Sequence, residues 1–103
     1  MIRATVLYPN SDSATFDLDY YRNKHLPMVT ELVGDALIST QVDAGLAGGA
    51  PGLAPTYIAM GHLTFASIEA FQEAFIPHQA AVAADLENYT NTRPTLQFSQ
   101  IIL

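Results

Sequence analysis

Strand-like alternation over four stretches, helical periodicity over two, and their order along the chain predict an α+β domain of the ferredoxin-like, βαββαβ class with a four-stranded antiparallel sheet. The 103 residues make one domain, 1–103, and half of them are hydrophobic, which excludes a disordered chain.

The first strand is Ile2 to Tyr8, where Ile2, Ala4, Val6 and Tyr8 alternate with Arg3, Thr5 and Leu7. Turn formers from Pro9 to Ser13 end it. Asp17 suits a helix N-cap, with Phe16 before it and Tyr21 four residues on, placed as a hydrophobic staple. Leu18, Tyr21, His25, Val29 and Leu32 then recur at helical spacing as far as about Val33, and Gly34 suits the C-terminal cap. Pro27 removes a backbone donor and disfavours helical geometry at Leu26, so a kink is expected just after His25.

Alternation resumes from Ala36 to Asp43, the second strand. Ala44 to Pro55 carries four glycines and two prolines in twelve residues, which no regular element survives; so long a loop in a small domain is usually functional. Thr56 to Phe65 is the third strand. Ser67 caps a second helix striped by Ile68, Phe71 and Phe75, which Pro77 breaks or restarts before Val82 and Leu86 continue the apolar face. Asn88 to Asn91 closes it, and Thr95 to Leu103 is the fourth strand.

Two helices cover one face of such a sheet. Val6, Ile38, Leu63, Phe65 and Phe98 are assigned to the covered face. Leu7, Leu37, Ile58, Met60, Ile101 and Leu103 fall on the other, among Thr5, Ser39, Gln41, His62, Gln97 and Ser99. A face that is half apolar usually has a partner, and a two-fold homodimer packed sheet to sheet is the simplest closed answer.

Composition narrows the function. Four Lys+Arg against ten Asp+Glu give a net charge of −6, which argues against nucleic acid. There is no apolar run near the ~20 residues a membrane span needs. The opening residues look like a strand and not a leader, so a cytoplasmic protein is expected. The absence of cysteine excludes disulfides, thiolate catalysis and Cys-based metal sites. No nucleotide, flavin or metal motif is present, so no cofactor is expected.

Counting about 100° per residue puts Leu18, Tyr21, His25, Val29 and Leu32 within roughly 80° of arc, bringing a phenol and an imidazole onto the helix face that meets the sheet. A buried imidazole tends to stay neutral, offering one donor and one acceptor near a useful pKa. His25 and Tyr21 are therefore the candidate catalytic pair. The competing reading is a core histidine bonded to a backbone carbonyl or to Tyr21. Tyr20, Val29, His62 and Phe71 are the candidate ligand-binding residues. Of these, His62 shares the open sheet face with Ile58 and Met60, where it would be a second polar group in a cavity or a hydrogen-bonded interface histidine. His78, after Pro77, reads as a surface or capping residue.

Several segments together resemble the EthD-like family of the dimeric α+β barrel superfamily. They are Thr15-Phe16-Asp17, Tyr20-Tyr21 and His25-Leu26-Pro27; the glycine-rich run Asp43 to Gly52; Gly61-His62-Leu63; Glu69-Ala70-Phe71 with Pro77-His78; and Asn88-Tyr89-Thr90-Asn91. The resemblance implies a protomer that dimerises through its sheet and holds a pocket between sheet and helices. It also implies an association with oxidative degradation.

Three functions are compatible with these readings. In the first, the chain is a small enzyme in which His25 acts as general acid or base on an apolar, aromatic or carbonyl compound, Tyr21 orients it or stabilises developing charge, and the Ala44–Pro55 loop closes as a lid. In the second, a non-catalytic dimer holds a small hydrophobic ligand. In the third, His25 or His62 handles heme or a metal.

Overall fold

The computed structural model describes all 103 residues. Its elements are β1 (Ile2–Pro9), α1 (Leu18–Tyr20), a π-helical turn (Tyr21–His25), α2 (Leu26–Val33), β2 (Ser39–Ala44), β3 (Tyr57–Phe65), α3 (Ile68–Phe75), α4 (Gln79–Ala84) and β4 (Thr95–Gln100). The strands form one sheet in the order β2-β3-β1-β4, every neighbouring pair antiparallel. β3 is inserted between the parallel pair β1 and β2, so the chain has the split βαβ, ferredoxin-like α+β fold.

The register sorts the side chains. Ala4 opposes Leu63 and Phe98, Val6 opposes Gly61 and Leu96, and Tyr8 opposes Ala59, so these residues share the helix-covered face. Ala4, Leu63 and Phe65 pack there with Val29, Val33 and Phe71 in one core cluster; Tyr8, Tyr21, Ala59 and Tyr89 form a second, aromatic one. The rings of Phe65 and Phe98 both meet Phe71 edge to face, at 5.1 and 4.8 Å between centroids. Phe65 is fully buried, which by apolar area is worth about 2–3 kcal/mol.

The caps are where the sequence places them. Asp17 accepts from the Tyr20 amide, Ser67 accepts from the Ala70 amide, and Gly34 ends α2 with a φ of 72°. Phe16 and Tyr21 close the staple, their rings 5.1 Å apart.

Pro27 has a different effect from the one expected. Leu26 keeps helical angles (φ −64°, ψ −40°), and the turn just ahead of Pro27 is a π turn in which the Leu26 amide donates to the Tyr21 carbonyl. The wider turn has a consequence for the buried stripe. Tyr21, His25, Val29 and Val33 are buried at intervals of four, a spacing that would drift around a regular helix of 3.6 residues per turn; Leu32 and Leu18 lie off it, Leu18 41% exposed.

Other expectations are corrected at element ends. Residues 34–36 form a 3-10 turn, so β2 begins at Ser39, and Leu37 precedes the strand and packs into the main core instead of joining the open face. β4 stops at Gln100, leaving Ile102 and Leu103 in solvent. Ile38, assigned to the covered face, is 48% exposed just before the edge strand. Ile58 reaches the aromatic cluster beside the irregularity at Tyr8/Pro9. The open face is consequently more polar than half: Leu7 and Met60 form its apolar centre, flanked by Arg3, Thr5, Gln41, His62, Gln97 and Ser99. No helix is long and apolar enough to cross a membrane.

Candidate functional site

A cavity of about 470 Å³ lies between the covered face of the sheet and the helices. Val29, Leu63, Phe71, Phe75, Val82 and Leu96 supply much of its apolar wall. The polar residues among those that line it are few: His25, Tyr8, Tyr21, Tyr89, Gln79 and Thr95. A pocket of this size with a small convergent polar set is the usual form of a small-molecule site.

His25 reaches this wall from the π turn, its residue 4% exposed. Its Nδ1 lies 2.9 Å from Asp85 Oδ2. Asp85 also accepts the Tyr20 hydroxyl at 2.6 Å and the Asn88 amide at 2.9 Å, both on Oδ1. Burial of the Asp85 carboxyl opposes ionisation, but the hydrogen bonds from Tyr20, Asn88 and His25 outweigh it and hold the group below its ordinary range. An ionised carboxylate only accepts, so Nδ1 carries the proton and Nε2 is the bare acceptor. Desolvation pushes the His25 pKa down more than Asp85 pushes it up, and the ring is neutral at pH 7.

Beyond Nε2 runs a line of phenols. The Tyr89 hydroxyl donates to Nε2 across a long 3.4 Å, and in turn accepts from the Tyr8 hydroxyl at 2.9 Å. Burial is the main cause that raises the pKa values of Tyr8, Tyr21 and Tyr89, so all three remain protonated. The Tyr21 and His25 rings stack, 5.3 Å between centroids and 15° between planes, with no hydroxyl-to-nitrogen bond. Tyr21 fits because residue 61 is glycine: a Cβ there would lie 2.5 Å from its hydroxyl.

The helix cap region brings Asp85 and Tyr89 over His25. Phe16 forms an isolated bridge with Thr90, the Asp17 amide bonds the Tyr89 carbonyl at 2.7 Å, Thr90 Oγ1 bonds the Thr15 carbonyl at 2.7 Å, and the Asn91 side chain accepts from the Thr15 amide at 2.8 Å. The segment before α1 is thereby stitched to the segment after α4, and the two histidine partners arrive with the second of these.

Of the six candidate site residues, the structure brings Tyr21, His25, Val29 and Phe71 to the cavity wall. Tyr20 is not on the wall; it stands behind, holding Asp85. His62 is not there either. Strand alternation turns it to the open face, where Nε2 meets Asp43 at 2.7 Å and Nδ1 meets Thr5 at 3.3 Å. No residue of the Ala44–Pro55 loop is among those lining the cavity; the loop joins β2 to β3, with Leu46 94% exposed. Sequence reasoning missed Asp85, Tyr89 and Tyr8. Asn88-Tyr89-Thr90-Asn91 was a visible motif, but Asp85 carried no signal of its own at the end of an alanine-rich helix.

The family model described as the EthD domain matches residues 9–93. An EthD-like protein from Ralstonia eutropha JMP134 is similar in structure at a TM-score of 0.94 and 38% identity, over 99% of this chain and 92% of that one. An EthD family protein from Bacillus halodurans C-125 superposes at a TM-score of 0.72 and 19% identity, over 99% of each chain. A dimeric ferredoxin-like protein of unknown function from Thermobifida fusca YX follows at 0.57 and 17%, over 97% of this chain and 90% of that one. No curated protein matches. The family match over most of the chain and the Ralstonia relative, aligned nearly end to end, agree with the motifs around His25 and Tyr89: the chain belongs to the EthD family.

Proposed function

We propose that the chain is a small-molecule enzyme that moves a proton on an apolar, aromatic or carbonyl compound held in the 470 Å³ cavity, with His25 as the acid–base group. The observation that carries this reading is the Asp85–His25 pair: a partly buried carboxylate, itself held by two hydrogen bonds, fixes the tautomer and leaves Nε2 as a neutral base at the wall of an apolar cavity. The catalytic group is His25. Tyr89, and Tyr21 beside it, are the donors available to a developing enolate or phenolate, and burial keeps both protonated. Asp85 and Tyr20 are positioning residues.

Transfer from a C–H next to a carbonyl would run from the substrate carbon to Nε2, with charge collecting on the carbonyl oxygen. The apolar walls exclude water and strengthen each of these interactions. The Thermobifida neighbour, described as dimeric, and the Leu7–Met60 centre of the open face support a homodimer packed through that face.

The test is deuterium exchange. In D2O, wild type is expected to speed α-proton exchange of 2-tetralone or a comparable enolisable lactone, while His25→Ala loses about 10²-fold or more with its melting temperature little changed. A His25→Ala variant that exchanges at the wild-type rate would sink the reading. Saturable binding with no exchange or turnover over a panel of catechols, quinones and lactones would favour a binding module instead.

A further inference from the structure

We infer that this cavity selects an uncharged ligand bearing a hydroxyl group, a phenol or an enol, and rejects the carboxylate of the same shape; the inference rests on the cavity being the functional site, as proposed above. The first argument is charge. No lysine or arginine is among the lining residues, and the charge in contact with the His25 imidazole is negative, the Asp85 carboxylate. A carboxylate entering would lose its water with no cation to replace it, against a wall that is almost wholly apolar.

The second argument is hydrogen-bond valence. Nε2 is a buried acceptor whose one protein donor, the Tyr89 hydroxyl, stands at a stretched 3.4 Å. Tyr89 itself already accepts a well-formed bond from Tyr8 at 2.9 Å, so it has a proton to give and a poorly placed acceptor to give it to. A ligand hydroxyl between them completes both: its O–H donates to Nε2 and its oxygen accepts from Tyr89. A ketone can do the second of these and not the first. A hydrocarbon does neither and leaves Nε2 in its stretched contact. Sites built to pair a buried polar group discriminate strongly against the analogue that lacks the partner.

Three probes of one shape separate these terms: 2-naphthol, naphthalene and 2-naphthoate, titrated into the wild-type protein at pH 7 and followed by calorimetry or ligand fluorescence. The expected order is 2-naphthol tighter than either of the others by tenfold or more. His25→Phe, which keeps a ring in place but has no acceptor, is expected to bring 2-naphthol down to the affinity of naphthalene. In Val82→Arg, which puts a cation into the wall, 2-naphthoate is expected to gain tenfold or more. Equal or tighter binding of 2-naphthoate by wild type overturns the inference and leaves the proton-transfer reading standing, since 2-tetralone exchange measures that separately. Equal binding of 2-naphthol and naphthalene overturns it as well. Failure of all three probes to bind overturns this inference and the cavity as a ligand site together.

Discussion

Asp85 Oδ2 and His25 Nδ1 stand 2.9 Å apart although 60 residues separate them in the chain, and the pair defines which imidazole nitrogen is free to do chemistry. The carboxylate is itself tied down by Tyr20 and Asn88, so the direction of the His25 ring is set by three residues from both ends of the helical layer. Such outer partners matter because a base must be aimed before its pKa can be used.

Removing that anion without removing its shape should expose its role. In Asp85→Asn the attraction that raises the His25 pKa is lost while the burial that lowers it remains, so His25 should titrate still lower than in wild type. Two-dimensional NMR of the imidazole against pH reads this directly. Exchange of 2-tetralone should fall by about 10-fold to 100-fold in the same variant, as expected when a general base is misaimed. An unchanged or raised His25 pKa would contradict the assignment.

Acid should destabilise the fold in two stages. Burial holds the folded pKa of His25 below its ordinary value of 6.5, so between the two values the unfolded chain binds more protons and stability is lost as pH falls. Above 6.5 the residue contributes no slope. Asp85 is held below its ordinary 3.8, and its contribution is present above that value and lost as pH falls through the folded pKa. His25→Gln should therefore flatten the decline in urea midpoint on going from pH 7 to pH 5 and leave the steeper loss below pH 4. A variant with the same slope as wild type across the upper window would show that His25 is not the group responsible.

Gly61 and Tyr21 make a reciprocal pair. A Cβ at residue 61 would lie 2.5 Å from the Tyr21 hydroxyl but 3.7 Å from its Cζ, an ordinary contact. Gly61→Ala should cost about 1–3 kcal/mol by overpacking. Adding Tyr21→Phe, which deletes the oxygen and keeps the ring, should recover much of that loss. Urea denaturation of the two single variants and the double variant closes the cycle, and a purely additive result would refute the contact.

The open sheet face supplies an assembly test. Leu7 and Met60 sit opposite one another on β1 and β3, with polar residues around them. Wild type is expected to run at twice the chain mass in light scattering after gel filtration, and Leu7→Arg at the mass of one chain with its melting transition still cooperative. A wild-type monomer would remove the homodimer.

Much of the architecture was legible because its signals are local. Asp17 and Ser67 cap with their own side chains, Gly34 takes a positive φ that glycine tolerates, and the alternation in β1 and β3 fixes which residues share a face. His62 shows how far such a rule goes: alternation alone turns it away from His25, toward Asp43. Leu37 shows where the rule stops, since a 3-10 turn places it ahead of the strand and alternation does not yet apply.

The primary sequence by itself determined the order of elements, the caps, the inward stripe of Tyr21, His25 and Val29, and membership of the EthD family, because each depends on neighbours a few residues away or on short motifs. Only the tertiary structure decided what His25 touches. The Asp85 and Tyr89 contacts need the segment after α4 to fold back onto the segment before α1, a closure made by hydrogen bonds between Thr15–Asp17 and Tyr89–Asn91. Periodicity carries no information about pairings between residues so far apart in the chain. The π turn of Tyr21–His25, just ahead of Pro27, likewise leaves no mark on the periodicity, which reads there as an ordinary helix.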